Sequence, residues 1–108
     1  MAFERACALG DVTNASPLAV TVGGVDVAIV RQGDDVYAIQ DECSHAAIPL
    51  SEGEVEDGEI ECWLHGSRFD LRTGKPSGPP ATEPVPTYPV RVDGDDVLVD
   101  VTSPLNND

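Results

Sequence analysis

Leu18-Ala19-Val20-Thr21-Val22-Gly23-Gly24-Val25-Asp26-Val27-Ala28-Ile29-Val30-Arg31 is two runs of mostly apolar, β-branched residues joined by a glycine pair. A two-residue connection between antiparallel strands favours positive φ at its central positions, which glycine adopts without a Cβ penalty. The stretch therefore predicts a β-hairpin, with strands at 18–22 and 25–31.

The same grammar recurs on either side. Gln32-Gly33-Asp34-Asp35 separates Ala28-Ile29-Val30 from Val36-Tyr37-Ala38-Ile39, and Asp93-Gly94-Asp95-Asp96 separates Val90-Arg91-Val92 from Val97-Leu98-Val99. No stretch of useful length carries a helical apolar period. Short β-branched runs alternating with turn signals predict an all-β domain, an antiparallel β-sandwich. At 108 residues there is room for one domain with a real core. Apolar residues make up 41% and aromatics 5%, so Val, Ile, Leu and Ala must fill that core.

From about residue 41 to 80 the character changes, and a subdomain inserted into the β scaffold is expected. It contains Gly74-Lys75-Pro76-Ser77-Gly78-Pro79-Pro80, stiffened by proline, which fixes φ and removes a backbone donor. It also contains Cys43-Ser44-His45 and, after sixteen intervening residues, Cys62-Trp63-Leu64-His65, which together use both histidines of the chain. Two thiolates and two imidazoles are the inventory of a [2Fe–2S] cluster with unlike irons. Clusters are otherwise normally held by four thiolates, and imidazole in place of thiolate raises the reduction potential.

Other metals and chemistries compete for these residues. Two Cys and two His can close a tetrahedral structural zinc site, but such sites usually pair Cys with Cys and His with His at short spacing. A mononuclear iron with two histidines and a carboxylate, Asp41 or Asp70, would leave both thiolates unexplained. A nucleophilic Cys–His pair leaves a second such pair unexplained. Zinc is the stronger rival.

The formal net charge of −14 argues against nucleic acid or an anionic membrane as partner. It suits a basic docking face on another protein, or simply solubility. Three cysteines cannot make a paired disulfide framework, and Cys7 is expected to be a buried, inert thiol. No basic segment with a following apolar run opens the chain, and no run nears the roughly twenty apolar residues of a membrane helix. A cytoplasmic location is expected.

The chain resembles the Rieske-type ferredoxins, the small electron carriers of bacterial multicomponent oxygenases. The resemblance lies in Cys43-Ser44-His45, Leu50-Ser51-Glu52-Gly53, Glu61-Cys62-Trp63-Leu64-His65-Gly66-Ser67-Arg68-Phe69-Asp70 and Thr73-Gly74. It covers about residues 2–102, with the cluster-binding part at about 41–80 and 103–108 as a frayed tail. It implies that Cys43 and Cys62 ligate the inner iron and His45 and His65 the outer one. Ile48, Pro49 and Leu64 would shield the cluster, with Pro79 in the stiff loop over it. Trp63 is read as a packing or docking residue.

Two departures refine the class. Cytochrome-complex relatives bridge their ligand loops with a disulfide, but Ile48 and Leu64 stand in those places. Ser67 matches a serine that donates to a cluster sulfur, whereas Phe69 replaces a tyrosine and offers no hydroxyl. Fewer donors stabilise the reduced cluster less, so a potential low in the Rieske range, above about −150 mV, is expected.

The resemblance implies a monomeric one-electron carrier between a flavin-dependent reductase and a terminal non-haem iron dioxygenase, itself not an enzyme. The alternatives are service to a monooxygenase, iron–sulfur assembly or redox housekeeping, and, from another class, a zinc-stabilised interaction module. A zinc protein is colourless; an oxidised Rieske protein is red-brown.

Overall fold

In a strand, an unbroken apolar run such as Val27-Ala28-Ile29-Val30 buries both faces rather than one. The computed structural model describes residues 3–14, 16–33, 35–42, 49–62, 67–77 and 84–102, and in it all four of these side chains are fully buried. The strands in chain order are β1 (Glu4–Ala8), β2 (Leu18–Val22), β3 (Val25–Gln32), β4 (Asp35–Gln40), β5 (Val55–Glu56), β6 (Glu59–Glu61), β7 (Arg68–Asp70), β8 (Thr87–Tyr88), β9 (Val90–Asp93) and β10 (Asp96–Val99). They form three sheets, ordered β1-β10-β9, β2-β3-β4-β8 and β5-β6-β7. Every pairing of these strands is antiparallel.

The middle sheet is a wall shared by two cores. Val27, Ile29 and Ala38 pack on one side with Cys7, Val97 and Val99 of the first sheet. Ala28, Val30 and Ile39 pack on the other with Ile60, Cys62 and Phe69. The all-β sandwich is therefore present, and β5–β7, inserted in the chain between β4 and β8, adds a third layer. Truncating one of these fully buried side chains, Ile39 for example, is the kind of change that costs about 2–5 kcal/mol.

Gly23 and Gly24 hold φ of 56° and 82°, as the first hairpin requires, and Val22 pairs directly with Val25. The other two turns are tighter than expected. Gln32 still pairs with Asp35 and Asp93 with Asp96, so both strands of each hairpin run one residue further into the turn. Gly33 and Gly94, with φ of 63° and 62°, make that reversal possible.

β1 places Cys7 in the first core, 7% exposed, where a buried thiol was expected. Burial pushes its pKa up, and Asp11 adds to the effect. A thiol raised in the fold favours the folded state while protonated. That contribution is lost only as pH climbs past the ordinary thiol value of about 8.5 and on through the raised one.

The described part of the proline-rich stretch is not a free connection. Asp70 N–H donates to the Lys75 carbonyl at 2.9 Å and Ser77 N–H to the Arg68 carbonyl at 2.8 Å, so Pro76 lies opposite Phe69. The two bonds flank that pair, and the amide that proline lacks is not needed. Pro79 and Pro80 lie outside the described residues, as do residues 103–108.

Candidate metal centre

Cys62 follows directly on β6 and is fully buried, in one core with Leu50, Ile60, Phe69 and Leu71. Its N–H donates to the Ser67 carbonyl at 2.6 Å, next to the Glu61–Arg68 pair of β6 and β7. Ser67 and Phe69, on the returning side, are buried as well. The structure thus brings Cys62, Ser67 and Phe69 to one place. Cys43, His45 and His65, together with Ile48, Trp63, Leu64 and Pro79, lie outside the described residues.

Described residues on either side of 43–48 are tied together. Asp41, just past β4, accepts the Ser51 N–H at 2.6 Å and the Ser51 hydroxyl at 2.8 Å. Ser51 belongs to a 3-10 turn, Leu50–Glu52, pinned by the fully buried Leu50 side chain. Gly53 then runs against the second segment, where a Cβ would sit 1.7 Å from the Glu61 carbonyl oxygen. Glu61 N–H donates to the Glu54 carbonyl at 2.8 Å, locking the same approach. The backbone leading into Cys62 and the Leu50–Glu52 turn are therefore held side by side.

Both carboxylates considered for a mononuclear iron accept hydrogen bonds from their own surroundings. Asp41 is engaged by Ser51, and Asp70 Oδ1 accepts the N–H groups of Arg72 and Thr73 at 2.8 and 3.1 Å. What the described residues show is the Cys62 thiol buried in an apolar wall, with His65 three positions further along the sequence. That donor set fits a mixed-ligand [2Fe–2S] cluster. Sequence reasoning missed the contacts that Asp41 and Gly53 make, because both reach across the fold; the only local signal was the Leu-Ser-Glu-Gly element itself.

Comparison with known proteins agrees. The Rieske [2Fe-2S] domain family matches residues 3–89. The chain belongs to that family. The biphenyl dioxygenase ferredoxin subunit of Pseudomonas sp. (strain KKS102) is 43% identical over 101 residues, covering 93% of each chain. Among solved structures, the ferredoxin of carbazole 1,9a-dioxygenase from Nocardioides aromaticivorans IC177 has a TM-score of 0.87 and 44% identity, over 92% of this chain and 97% of that one. A chain from a complex of reduced oxygenase and oxidized ferredoxin in carbazole 1,9a-dioxygenase has a TM-score of 0.83 and 36% identity, over 90% of this chain and 91% of that one. The Rieske fold and a single [2Fe–2S] cluster follow from membership. Matches spanning nearly whole ferredoxin chains make this an electron-transfer protein, not a catalytic subunit. Among the described residues no helix is long and apolar enough to cross a membrane.

Proposed function

We propose that the chain is the ferredoxin of an aromatic-ring dioxygenase system, a monomeric cytoplasmic carrier between a flavin-dependent reductase and a terminal oxygenase. Cys43, His45, Cys62 and His65 hold its cluster. The observation that carries this assignment is the position of Cys62, buried in the wall it shares with Ile60 and Phe69. When bound, a [2Fe–2S] cluster stores one electron. The protein's own residues exclude water on the Cys62 side through Leu50, Ile60 and Phe69, and tie the Leu50–Glu52 turn to Asp41 on one side and Glu61 on the other.

Cys43 and Cys62 on the inner iron leave the histidines on the outer one, nearest a partner. Ser67 and Phe69 would face the cluster, with Ile48, Leu64 and Pro79 shielding it. Electron paramagnetic resonance of the dithionite-reduced protein tests the ligand set, because mixed His/Cys ligation, all-Cys ligation and zinc give different results. A colourless preparation containing zinc would overturn the assignment.

The potential follows from the donors. Phe69→Tyr is expected to raise it by about 40 mV, the one-electron equivalent of roughly 1 kcal/mol of hydrogen bonding to the reduced cluster. Protein-film voltammetry of both proteins measures the shift, and an unchanged potential would place the new hydroxyl away from the sulfurs.

Docking should depend on charge. With 20 acidic and 6 basic residues, the chain is drawn towards a basic face until salt screens it. The rate of oxygenase reduction, followed by stopped flow, is expected to fall roughly tenfold or more between low and high salt. A rate indifferent to salt would remove charge steering from the account.

A further inference from the structure

Asp41 lies two positions before Cys43 and is tied down on both sides. Its own N–H donates to the Asp26 carbonyl at 3.0 Å, anchoring it to the middle sheet beside β3. Its two carboxylate oxygens take separate protons from Ser51, the backbone N–H on Oδ1 at 2.6 Å and the hydroxyl on Oδ2 at 2.8 Å. Two charge-assisted bonds to one residue fix orientation as well as distance. From Ser51 the contacts continue through the buried Leu50 and through Gly53, pressed on the Glu61 carbonyl, to the residue before Cys62. One continuous set of fixed contacts therefore joins the approaches to both cysteines.

We propose that Asp41 is a positioning residue: its clamp on Ser51 sets the separation of the two ligand segments and hence the geometry of the cluster between them. The proposal rests on the ligand set Cys43, His45, Cys62 and His65. Two thiolates on one iron must keep a fixed separation, and the two cysteines come from segments nineteen positions apart in the sequence. The carboxylate does so from outside, by fastening the turn that returns from the first segment to the strand that enters it.

The test compares purified, cluster-loaded wild type with Asp41→Ala, Asp41→Asn, Ser51→Ala and Glu42→Gln. Glu42→Gln removes the same charge one residue nearer Cys43, from an exposed side chain. The readouts are the electron paramagnetic resonance line shape after reduction and the rate of cluster bleaching in excess EDTA. Asp41→Ala should shift and broaden the signal and speed bleaching about tenfold or more, the scale seen when a metal ligand loses its supporting partner. Ser51→Ala, which keeps the backbone bond, should fall between it and wild type. Asp41→Asn, which retains a carbonyl for the Ser51 N–H, should largely restore both readouts, and Glu42→Gln should leave them unchanged.

A wild-type line shape and bleaching rate in Asp41→Ala would overturn the proposal. So would Glu42→Gln reproducing the Asp41→Ala changes, because charge alone would then explain them. If Asp41→Ala does not accumulate as folded protein, Ser51→Ala decides, and an unchanged bleaching rate there sinks the idea. Wild-type protein lacking iron and labile sulfide would instead overturn the ligand set, an outcome distinct from a loaded cluster indifferent to Asp41.

Discussion

Cys62→Ala is expected to give a colourless protein with neither iron nor acid-labile sulfide. A partner that merely supports a metal ligand is worth roughly 10–100-fold in affinity, so a thiolate bonded directly to iron should be worth more. Alanine is the better probe than serine here. The side chain is fully buried among apolar groups, where an unpaired hydroxyl would itself cost about 1–3 kcal/mol and blur the comparison. Cluster binding to the folded chain alone also stabilises it, so the variant should unfold at lower denaturant than the loaded wild type. Iron and sulfide analysis checks the first expectation and denaturant titration the second. A variant that kept a full complement of iron and the reduced signal would remove Cys62 from the ligand set.

Gly53→Ala should be the most damaging change that touches no proposed ligand. The glycine's φ of −88° is open to any residue, so backbone strain is not the reason. Space is. The added methyl would lie 1.7 Å from the Glu61 carbonyl oxygen and 2.9 Å from its carbon, both backbone atoms that cannot swing aside. The turn carrying Leu50 and Ser51 must move by more than an ångström or the Glu54–Glu61 bond must break. Overpacking usually costs 1–3 kcal/mol, and a backbone collision this close should cost about 3 kcal/mol or more. Because the collision is with the residue that precedes Cys62, cluster content should fall with stability. Equilibrium unfolding and iron content on the same samples test this; a loss below about 1 kcal/mol would mean the two backbones have room to separate.

How much was legible from sequence differs by element, for physical reasons. The three long hairpins could be read because a glycine at each reversal interrupts apolar runs, and both signals are local. The run at Val27–Val30 carried more information than an alternating strand, since unbroken apolarity marks burial on two sides. β5 and β6 were not legible: Glu54, Glu56, Glu59 and Glu61 leave only Val55 and Ile60 as apolar residues across them. Their one local signal is Asp57-Gly58, whose φ values of 53° and 79° make the reversal. β1 was missed because its partner β10 lies some ninety residues away, and nothing local announces that pairing. At the centre, ligand chemistry restricts both residue type and spacing, so the two Cys–His pairs stand out. Asp41 and Gly53 do not, because one acts across ten residues and the other on a backbone eight residues on.

Ala28, Val30 and Ile39 form the floor on which Ile60, Cys62 and Phe69 rest, while their strand neighbours Val27, Ile29 and Ala38 roof the opposite core. The layer formed by β5–β7 is consequently no autonomous graft. A fragment carrying both Cys–His pairs without β3 and β4 would leave its greasy underside in water, so moving this redox centre into another protein means transplanting the sheet beneath it.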